Sequence, residues 1–202
     1  MNPIHIVAIV EGHGEETALP VLIRKIAREN NIYNQLVIKP VFRIPATRLK
    51  KEGELERQVE LAARSLPSEN GAILILVDCD GENDCPAQEG PALLARAQAA
   101  RKDKLISVVL AKKEFESWFI AAASSLRGVN RLSQTMPEPD DPESIRGAKE
   151  WLSGFMPQAF PYAATIDQER LTIHFDMTLA RRADSFDKCY REIVKMLRYL
   201  AG

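Results

Sequence analysis

The run Ala72–Val77, with the sequence AILILV, is the feature that most constrains how this chain can fold. Every side chain in the run is apolar, so a strand formed here presents a hydrophobic surface on both faces. Both faces are buried only when helices cover each side of the sheet, and sheets covered in this way are built from parallel strands. The run therefore predicts a central parallel strand in an α/β domain.

The first 126 residues alternate strands and helices, which is the pattern of a parallel sheet with right-handed crossovers. Three further apolar runs predict strands, namely His5–Val10, Leu36–Phe42 and Leu105–Leu110. Apolar residues at helical spacing predict the helices Glu15–Glu29, Glu54–Leu66, Pro91–Arg101 and Phe115–Leu126. Pro40 interrupts the second strand and has no backbone N–H, so we expect that strand at an edge of the sheet.

The C-terminal third is predicted to be helical. Thr135–Pro142 contains three prolines and three acidic residues, which indicates an exposed connection. Beyond it we expect helices over Pro142–Phe155 and from Asp167 onward. We expect Ser185 to cap a last helix that carries a single apolar stripe.

Length and composition are typical of one globular domain. The chain has 202 residues, of which 46% are hydrophobic and 27% are charged. We expect residues 1–202 to form a single domain, with an α/β core over residues 1–126 and a helical layer over residues 143–202 packed on the same core.

The net charge bears on nucleic-acid binding, and the cysteine content bears on the cellular compartment. The net charge of −1 provides no general attraction to nucleic acid, so any such binding requires local basic patches. Three scattered cysteines indicate neither a disulfide framework nor a structural zinc site, and a reducing cytoplasm is the expected location. The sequence has no signal-peptide pattern and no apolar stretch near the ~20 residues that span a bilayer, so no membrane contact is expected.

Acidic residues follow three of the predicted strands. They are Glu11 and Glu15 after the first strand, Asp78 and Asp80 after AILILV, and Glu114 and Glu116 after Leu105–Leu110. Ligands of open parallel sheets bind beyond the carboxyl ends of the strands. Carboxylates gathered there repel one another unless a cation lies between them, and Mg²⁺, or Mn²⁺, suits such oxygen ligands. This pattern predicts a metal site for metal-assisted displacement at phosphorus, provided that the first and third strands are neighbours.

The same acidic residues also fit roles that involve no metal. Asp and Gly after a strand are ordinary turn residues, and Glu15 early in a helix complements the helix dipole. Glu116 also lies near a helix start, where it can complement the helix dipole. The functional interpretation of Glu116 is a supporting metal ligand. The pattern Asp78-x-Asp80 after an apolar strand is also compatible with a small-molecule phosphatase that uses Asp78 as its nucleophile.

Basic residues cluster at two places of interest. Lys112 and Lys113 end a predicted strand at the same edge as the acids, where they can neutralise a bound phosphodiester. Lys50 and Lys51 belong to the segment Arg43–Gly53, which we expect to be a mobile connection outside regular structure. Most basic runs of this kind are solvated surface, and this alternative applies to both clusters.

The motifs resemble a known family. Val10-Glu11-Gly12-His13-Gly14-Glu15 between a strand and a helix resembles the first motif of Toprim proteins, and Asp78-Cys79-Asp80-Gly81 resembles their Asp-x-Asp motif. Glu116-Ser117-Trp118 and a later Ser185-Phe186 give a closer resemblance to the bacterial Toprim-like proteins of unknown function grouped as DUF4276. The resemblance covers most of the chain.

This resemblance implies a Toprim-like, mainly parallel sheet that binds Mg²⁺ through Glu11, Asp78 and Asp80, as in topoisomerases, primases and overcoming-lysogenisation nucleases. The sequence lacks the second catalytic domain that supplies a nucleophilic tyrosine in larger Toprim enzymes, so water is the expected nucleophile. Relatives of this family lie beside ATPase-type proteins in bacterial operons, which implies a nearby encoded ATPase as a partner and a role in defence.

Two functional hypotheses follow from these observations. The first is a Mg²⁺-dependent nuclease, or nuclease subunit, that acts on DNA or RNA. The second is a non-catalytic Toprim-like module that binds a partner ATPase or a nucleotide. Cleavage assays with Mg²⁺ or Mn²⁺ separate the two.

Overall fold

The fold is built on a parallel sheet. In the computed structural model, which describes residues 2–67, 70–81 and 85–202, four strands form one sheet in the order β2-β1-β3-β4. The strands are β1 (Ile4–Val10), β2 (Leu36–Arg43), β3 (Gly71–Cys79) and β4 (Leu105–Lys112). All neighbouring pairs are parallel, and β3, which contains the AILILV run, lies between β1 and β4. The predicted edge position of the Pro40 strand is confirmed, since β2 pairs only with β1 among the strands described.

Helices flank the sheet and make up the C-terminal part. They are α1 (Glu15–Glu29), α2 (Ala46–Leu49), α3 (Glu54–Ser65), α4 (Pro86–Ala100), α5 (Ser117–Ala121), α6 (Ala123–Leu126), α7 (Ala148–Gly154), α8 (Ala164–His174), α9 (Met177–Ala180) and α10 (Asp184–Ala201). The predicted α/β class, with a helical C-terminal part, is confirmed. No helix within the described ranges is long and apolar enough to cross a membrane.

Alternate side chains of each central strand enter two hydrophobic cores. In β1, Ile6 and Ala8 join the core beneath α1 and α10, whereas Val7 and Ile9 join the core beneath α3 and α4. All four side chains are fully buried. A continuous apolar strand satisfies both cores at once, which explains why the sequence of β3 shows no polar alternation.

Two predicted helices are shorter than expected. The segment predicted as one helix over Phe115–Leu126 divides into α5 and α6, because Ala122 leaves helical geometry at φ −103° and ψ 22°. The helix predicted over Pro142–Phe155 is replaced by a 3₁₀ turn at Pro142–Ser144 and by α7. Gly147 precedes α7 in the left-handed conformation, at φ 69°, and this conformation prevents a continuous helix through residue 147.

Ser185 does not cap the last helix as predicted. α10 begins at Asp184, and Ser185 lies inside it, where its Oγ accepts a hydrogen bond of 2.8 Å from Nε1 of Trp118. Trp118 is fully buried and packs edge-on against Phe186, with ring centroids 5.2 Å apart. The motif residues Trp118 and Ser185 therefore join α5 to α10 in the core.

The connection Arg43–Gly53 has more structure than predicted. It contains the short helix α2, and the Arg96 guanidinium donates to the carbonyl oxygens of Lys50 and Lys51 at 3.2 and 3.0 Å. The Lys50 ammonium lies 2.8 Å from a Glu89 carboxylate oxygen. The expectation of a connection outside regular structure is wrong for residues 46–49, which form α2, whereas Lys50 and Lys51 follow that helix in a turn and a bend. The expected mobility of the connection stays a prediction.

α8 packs closely along α1. Nζ of Lys25 donates to the carbonyl oxygens of Thr172, Ile173 and Phe175, at 2.9, 3.0 and 2.8 Å, and so satisfies the carboxyl end of α8. At the other end, a Cβ placed on Gly14 would lie 1.6 Å from Gln168 Oε1 and 2.8 Å from a backbone oxygen. Only glycine permits this approach.

We expect Gly14→Ala to lower the free energy of unfolding by about 1–3 kcal/mol, because the added methyl group forces α8 away from α1. Gly154→Ala is the matched control, since a Cβ on Gly154 meets no atom within 4 Å and alanine favours helix over glycine. Urea denaturation measures both variants. Equal stability of Gly14→Ala and the wild type would contradict the close contact.

Candidate metal site

Glu11 and Asp78 lie side by side where β1 and β3 end. Val10 is paired with Leu76 in the parallel register, so the residues that follow each strand emerge at the same sheet edge. Oε2 of Glu11 accepts a hydrogen bond of 3.2 Å from the backbone N–H of Asp78. Asp80 follows two residues later and is exposed, and its negative charge contributes to the raised pKa of Glu11. The structure thus places the three candidate ligands at one edge.

Glu15 extends this acidic group. It is the first residue of α1, is only 6% exposed, and accepts hydrogen bonds from the Gly12 N–H and, at 3.1 Å, from Gln168 Nε2. The sequence offered helix-dipole complementation as the alternative role of Glu15. Its burial and its partner on α8 show that it also connects the strand–helix turn to the C-terminal helices.

Two carboxylates at this edge, Glu11 and Asp78, have raised pKa values. The pKa of Asp78 is raised well above its ordinary value of 3.8, first by burial and then by the negative charges of Glu15, Glu116 and Glu11. The pKa of Glu11 is raised by burial and by Asp80 and Glu15, although hydrogen bonds from the backbone of Ala46 and Asp78 oppose the shift. Ionised carboxylates are therefore held at a cost that a cation can offset.

Glu116 lies behind the acidic group in a separate polar network. Its side chain is fully buried, Oε1 accepts a 2.9 Å hydrogen bond from the Tyr162 hydroxyl, and Oε2 lies 3.1 Å from Lys149 Nζ. Lys149 also pairs with Glu114, whose other oxygen accepts from the Ala148 N–H at the start of α7. Glu116 thus has the Lys149 ammonium as its partner, and the negative charge of Glu116 contributes to the raised pKa of Asp78.

Lys149 is the residue that the sequence did not reveal. Its ammonium pairs with Glu114 and Glu116, and the charges of these acids and of Asp78 raise its pKa above the ordinary value of 10.5 even though burial opposes the shift. Lys149 follows Gly147 in a segment without strand context, more than thirty residues after the acids that it pairs with. No spacing rule connects such positions, and the same is true of Tyr162 and Gln168.

Lys112 ends β4 and Lys113 follows it, at the edge that the sequence predicts, but the two residues have different surroundings. Lys112 Nζ lies 3.9 Å from Glu143 Oε2, so it faces the 3₁₀ turn at residues 142–144. Lys113 has a left-handed backbone, at φ 69°, and its N–H donates to the Cys79 carbonyl oxygen at 3.0 Å. The backbone of Lys113 therefore fastens the end of β4 to the end of β3.

The donor set at this edge suits a hard divalent cation. Glu11, Asp78 and Asp80 provide carboxylate oxygens only, which Mg²⁺ and Mn²⁺ prefer over softer metals. Within residues 2–67, 70–81 and 85–202, no three or more His, Cys, Asp or Glu side chains are already arranged as a set of metal ligands. Asp78 Oδ1 instead accepts from the Phe115 N–H at 3.0 Å, so metal binding requires side-chain adjustment.

Residues 10–193 match the sequence model of the family described as Domain of unknown function DUF4276. The match covers most of the 202 residues, so the chain belongs to this family, as its motifs predicted. Among solved structures, the chain is similar to the C-terminal region of the Burkholderia pseudomallei OLD protein, with 15% identity, a TM-score of 0.47 and 98% of each chain covered. No curated protein matches the sequence.

We expect Asp78→Asn and Asp78→Ala to have opposite effects on the metal-free protein. Asparagine removes the negative charge but keeps an oxygen that can accept from the Phe115 N–H, so its free energy of unfolding should equal or exceed that of the wild type. Alanine leaves that N–H without its acceptor, which costs about 1–3 kcal/mol. Chemical denaturation in EDTA measures both. Equal destabilisation by the two variants would contradict charge repulsion at Asp78.

The raised pKa of Asp78 also predicts how the stability difference between Asp78→Asn and the wild type depends on pH. Because the pKa of Asp78 is higher in the folded than in the unfolded protein, its ionisation removes stability as pH rises from about 3.8 through the folded pKa. The stability advantage of Asp78→Asn over the wild type should therefore be small near pH 4 and larger at pH 7. An advantage that shrinks with rising pH would contradict the raised pKa.

Proposed function

We propose that this protein is a divalent-metal-dependent phosphoryl-transfer protein, namely a nuclease or nuclease subunit that acts on DNA or RNA in bacterial defence. The observation that carries the proposal is the contact of Glu11 with Asp78 at the ends of two adjacent parallel strands, with Asp80 two residues further on. Burial and neighbouring negative charges make ionised Glu11 and Asp78 unfavourable without a cation, and their raised pKa values record that cost.

Glu11, Asp78 and Asp80 would hold Mg²⁺ or Mn²⁺, and the cation would supply Lewis-acid polarisation of a phosphodiester. The resemblance of the motifs around these residues to the Toprim motifs supports this assignment. Water is the proposed nucleophile. Tyr162 is unsuited to that role, since its hydroxyl is committed to Glu116 and burial raises its pKa well above 10.

Lys149 and Glu116 would act behind the metal ligands. The ammonium of Lys149 partly neutralises Asp78, and its ion pair with Glu116 fixes both side chains against Tyr162. We propose Glu116 as a supporting residue of the metal site. Lys112 and Lys113 are proposed to contact the substrate backbone, and an ATPase encoded nearby is the proposed partner.

We expect Mg²⁺ to stabilise the wild type by about 2.7 kcal/mol at a hundredfold excess over its dissociation constant, because only the folded state gathers the ligands. Asp78→Asn and Asp80→Asn should lose this stabilisation and any Mg²⁺- or Mn²⁺-dependent cleavage of DNA or RNA. Asp103→Asn is the control, since Asp103 precedes β4 at the opposite sheet edge and pairs with Arg101. Thermal unfolding with and without the metal measures the effect.

The outcome that overturns the proposal is equal Mg²⁺ stabilisation of the wild type, Asp78→Asn and Asp103→Asn. The second candidate function, a non-catalytic module that binds a partner ATPase or a nucleotide, is favoured by one observation. In the described part of the chain the carboxylates are not yet arranged as metal ligands. Binding of a nucleotide or of the product of the neighbouring gene, without cleavage in Mg²⁺ or Mn²⁺, would select this second function.

A further inference from the structure

The outer face of α10 carries a row of basic side chains. Lys188, Arg191, Lys195 and Arg198 follow one another at intervals of three or four residues, so they lie on one face of the helix. All four are exposed, and we call them the α10 basic row. Residues 188–202 contain one acidic residue, Glu192, although the whole chain has a net charge of −1. The row is therefore a local basic patch of the kind that nucleic-acid binding by this chain requires.

A groove of about 500 Å³ lies along this row, between α10 and the end of α1. The Tyr190 hydroxyl accepts a 2.9 Å hydrogen bond from Asn30 Nδ2 and donates to Glu29 Oε2 at 3.0 Å, which holds the two helices together beside the groove. Among the residues that the structure describes, the lining includes no acidic side chain. It consists of Asn30, Tyr190, Arg191, Val194, Lys195 and Arg198.

Two acidic residues beside the row compensate only part of its charge. The Asp187 carboxylate lies 2.8 Å from Arg191 and 2.7 Å from Arg181, so one negative charge serves two guanidinium groups. Glu192 pairs with Lys188 and also accepts a 3.0 Å hydrogen bond from the hydroxyl of a β4 serine.

The other half of the row has no carboxylate partner. Within residues 2–67, 70–81 and 85–202, no carboxylate oxygen lies within 4 Å of the charged nitrogens of Lys195 or Arg198. Arg198 donates instead to Asn30 Oδ1, at 3.4 Å. The row therefore keeps positive charge that an anion from outside the chain can neutralise.

We propose that the α10 basic row binds the phosphate backbone of a single-stranded nucleic acid. Lys188 and Arg198 are ten residues apart, which corresponds to about 15 Å along a helix. A stacked strand carries one phosphate per ~3.4 Å, so about four phosphates lie along this length and match the four cations. Tyr199 follows Arg198 and is 74% exposed, so an unpaired base can stack on its ring.

The row lies apart from the acidic edge of the sheet. α1 begins at that edge with Glu15 and ends beside the groove at Asn30, about 22 Å further along the helix. Binding at the row thus goes beyond the proposed metal site, because it holds a strand far from the candidate metal ligands. The choice of a nucleic acid agrees with the proposed function, but binding at the row requires neither a metal nor cleavage.

Fluorescence anisotropy of a labelled oligothymidylate, in EDTA, measures this binding without cleavage. The triple variant with Arg191→Gln, Lys195→Gln and Arg198→Gln should bind at least tenfold more weakly than the wild type at low salt. Loss of three phosphate contacts should also reduce the slope of log Kd against log salt concentration by about two, since each contact contributes ~0.7 for a single strand.

The matched control removes the same charge from exposed positions elsewhere, with Arg57→Gln, Arg64→Gln and Lys102→Gln. These residues lie on or next to α3 and α4, which cover the opposite face of the sheet from α10. The control should keep the wild-type affinity and slope. Tyr199→Ala should weaken binding about fivefold and leave the slope unchanged, because base stacking releases no counterions.

Equal losses of affinity and slope in the two triple variants would overturn the proposal, as would an absence of binding by the wild type. An unchanged affinity of Tyr199→Ala, or tighter binding of a duplex, would overturn the choice of a single strand. Equal competition by polyglutamate would assign the row to an acidic protein and so contradict the proposal. Wild-type binding of oligothymidylate by Asp78→Asn would sustain it even if no cleavage is found, so the row and the proposed nuclease activity fail separately.

Discussion

The burial of neighbouring carboxylates at the ends of β1 and β3 is the constraint on which the arrangement of this edge depends, and repulsion between them adds to its cost. The parallel register brings Glu11 against Asp78, and α1 adds the buried Glu15. A fold that merely needed turns at this edge would gain nothing from burying charge there. The C-terminal helices supply the compensation, since Lys149 lies on α7 and Gln168 on α8. The helical part therefore completes the acidic edge.

The end of β4 connects the acidic edge to the C-terminal helices. Its backbone is fastened to β3 through Lys113, and its last side chain, Lys112, points to Glu143. Glu143 in turn accepts from the Ser185 backbone N–H, and the Ser185 hydroxyl accepts from the Trp118 indole N–H. The Glu-x-Trp and Ser-Phe motifs of the family thus meet at one place in the fold.

The sequence predicts the sheet well because its signals are local. A run such as AILILV has one stable environment, and the residues after each strand must share an edge. The boundaries of α1 were predicted from periodicity and agree with the structure. What the sequence does not reveal depends on distant partners. No sequence feature near Lys149 or Tyr162 indicates that these residues contact Glu116. Ser185 has the sequence position of a helix cap, but in the structure its hydroxyl accepts a hydrogen bond from Trp118. The ligand assignment of Glu11, Asp78 and Asp80 stays a prediction.

The most direct measurement is anomalous scattering from crystals of the wild-type protein grown with saturating Mn²⁺. The account predicts an anomalous peak at the carboxyl edge of the sheet, in contact with carboxylate oxygens of Glu11 and of Asp78 or Asp80. It also predicts that the Asp78 side chain has turned away from the Phe115 N–H toward the ion. Mn²⁺ bound only at other surfaces, with Asp78 still bonded to Phe115, would contradict the central claim.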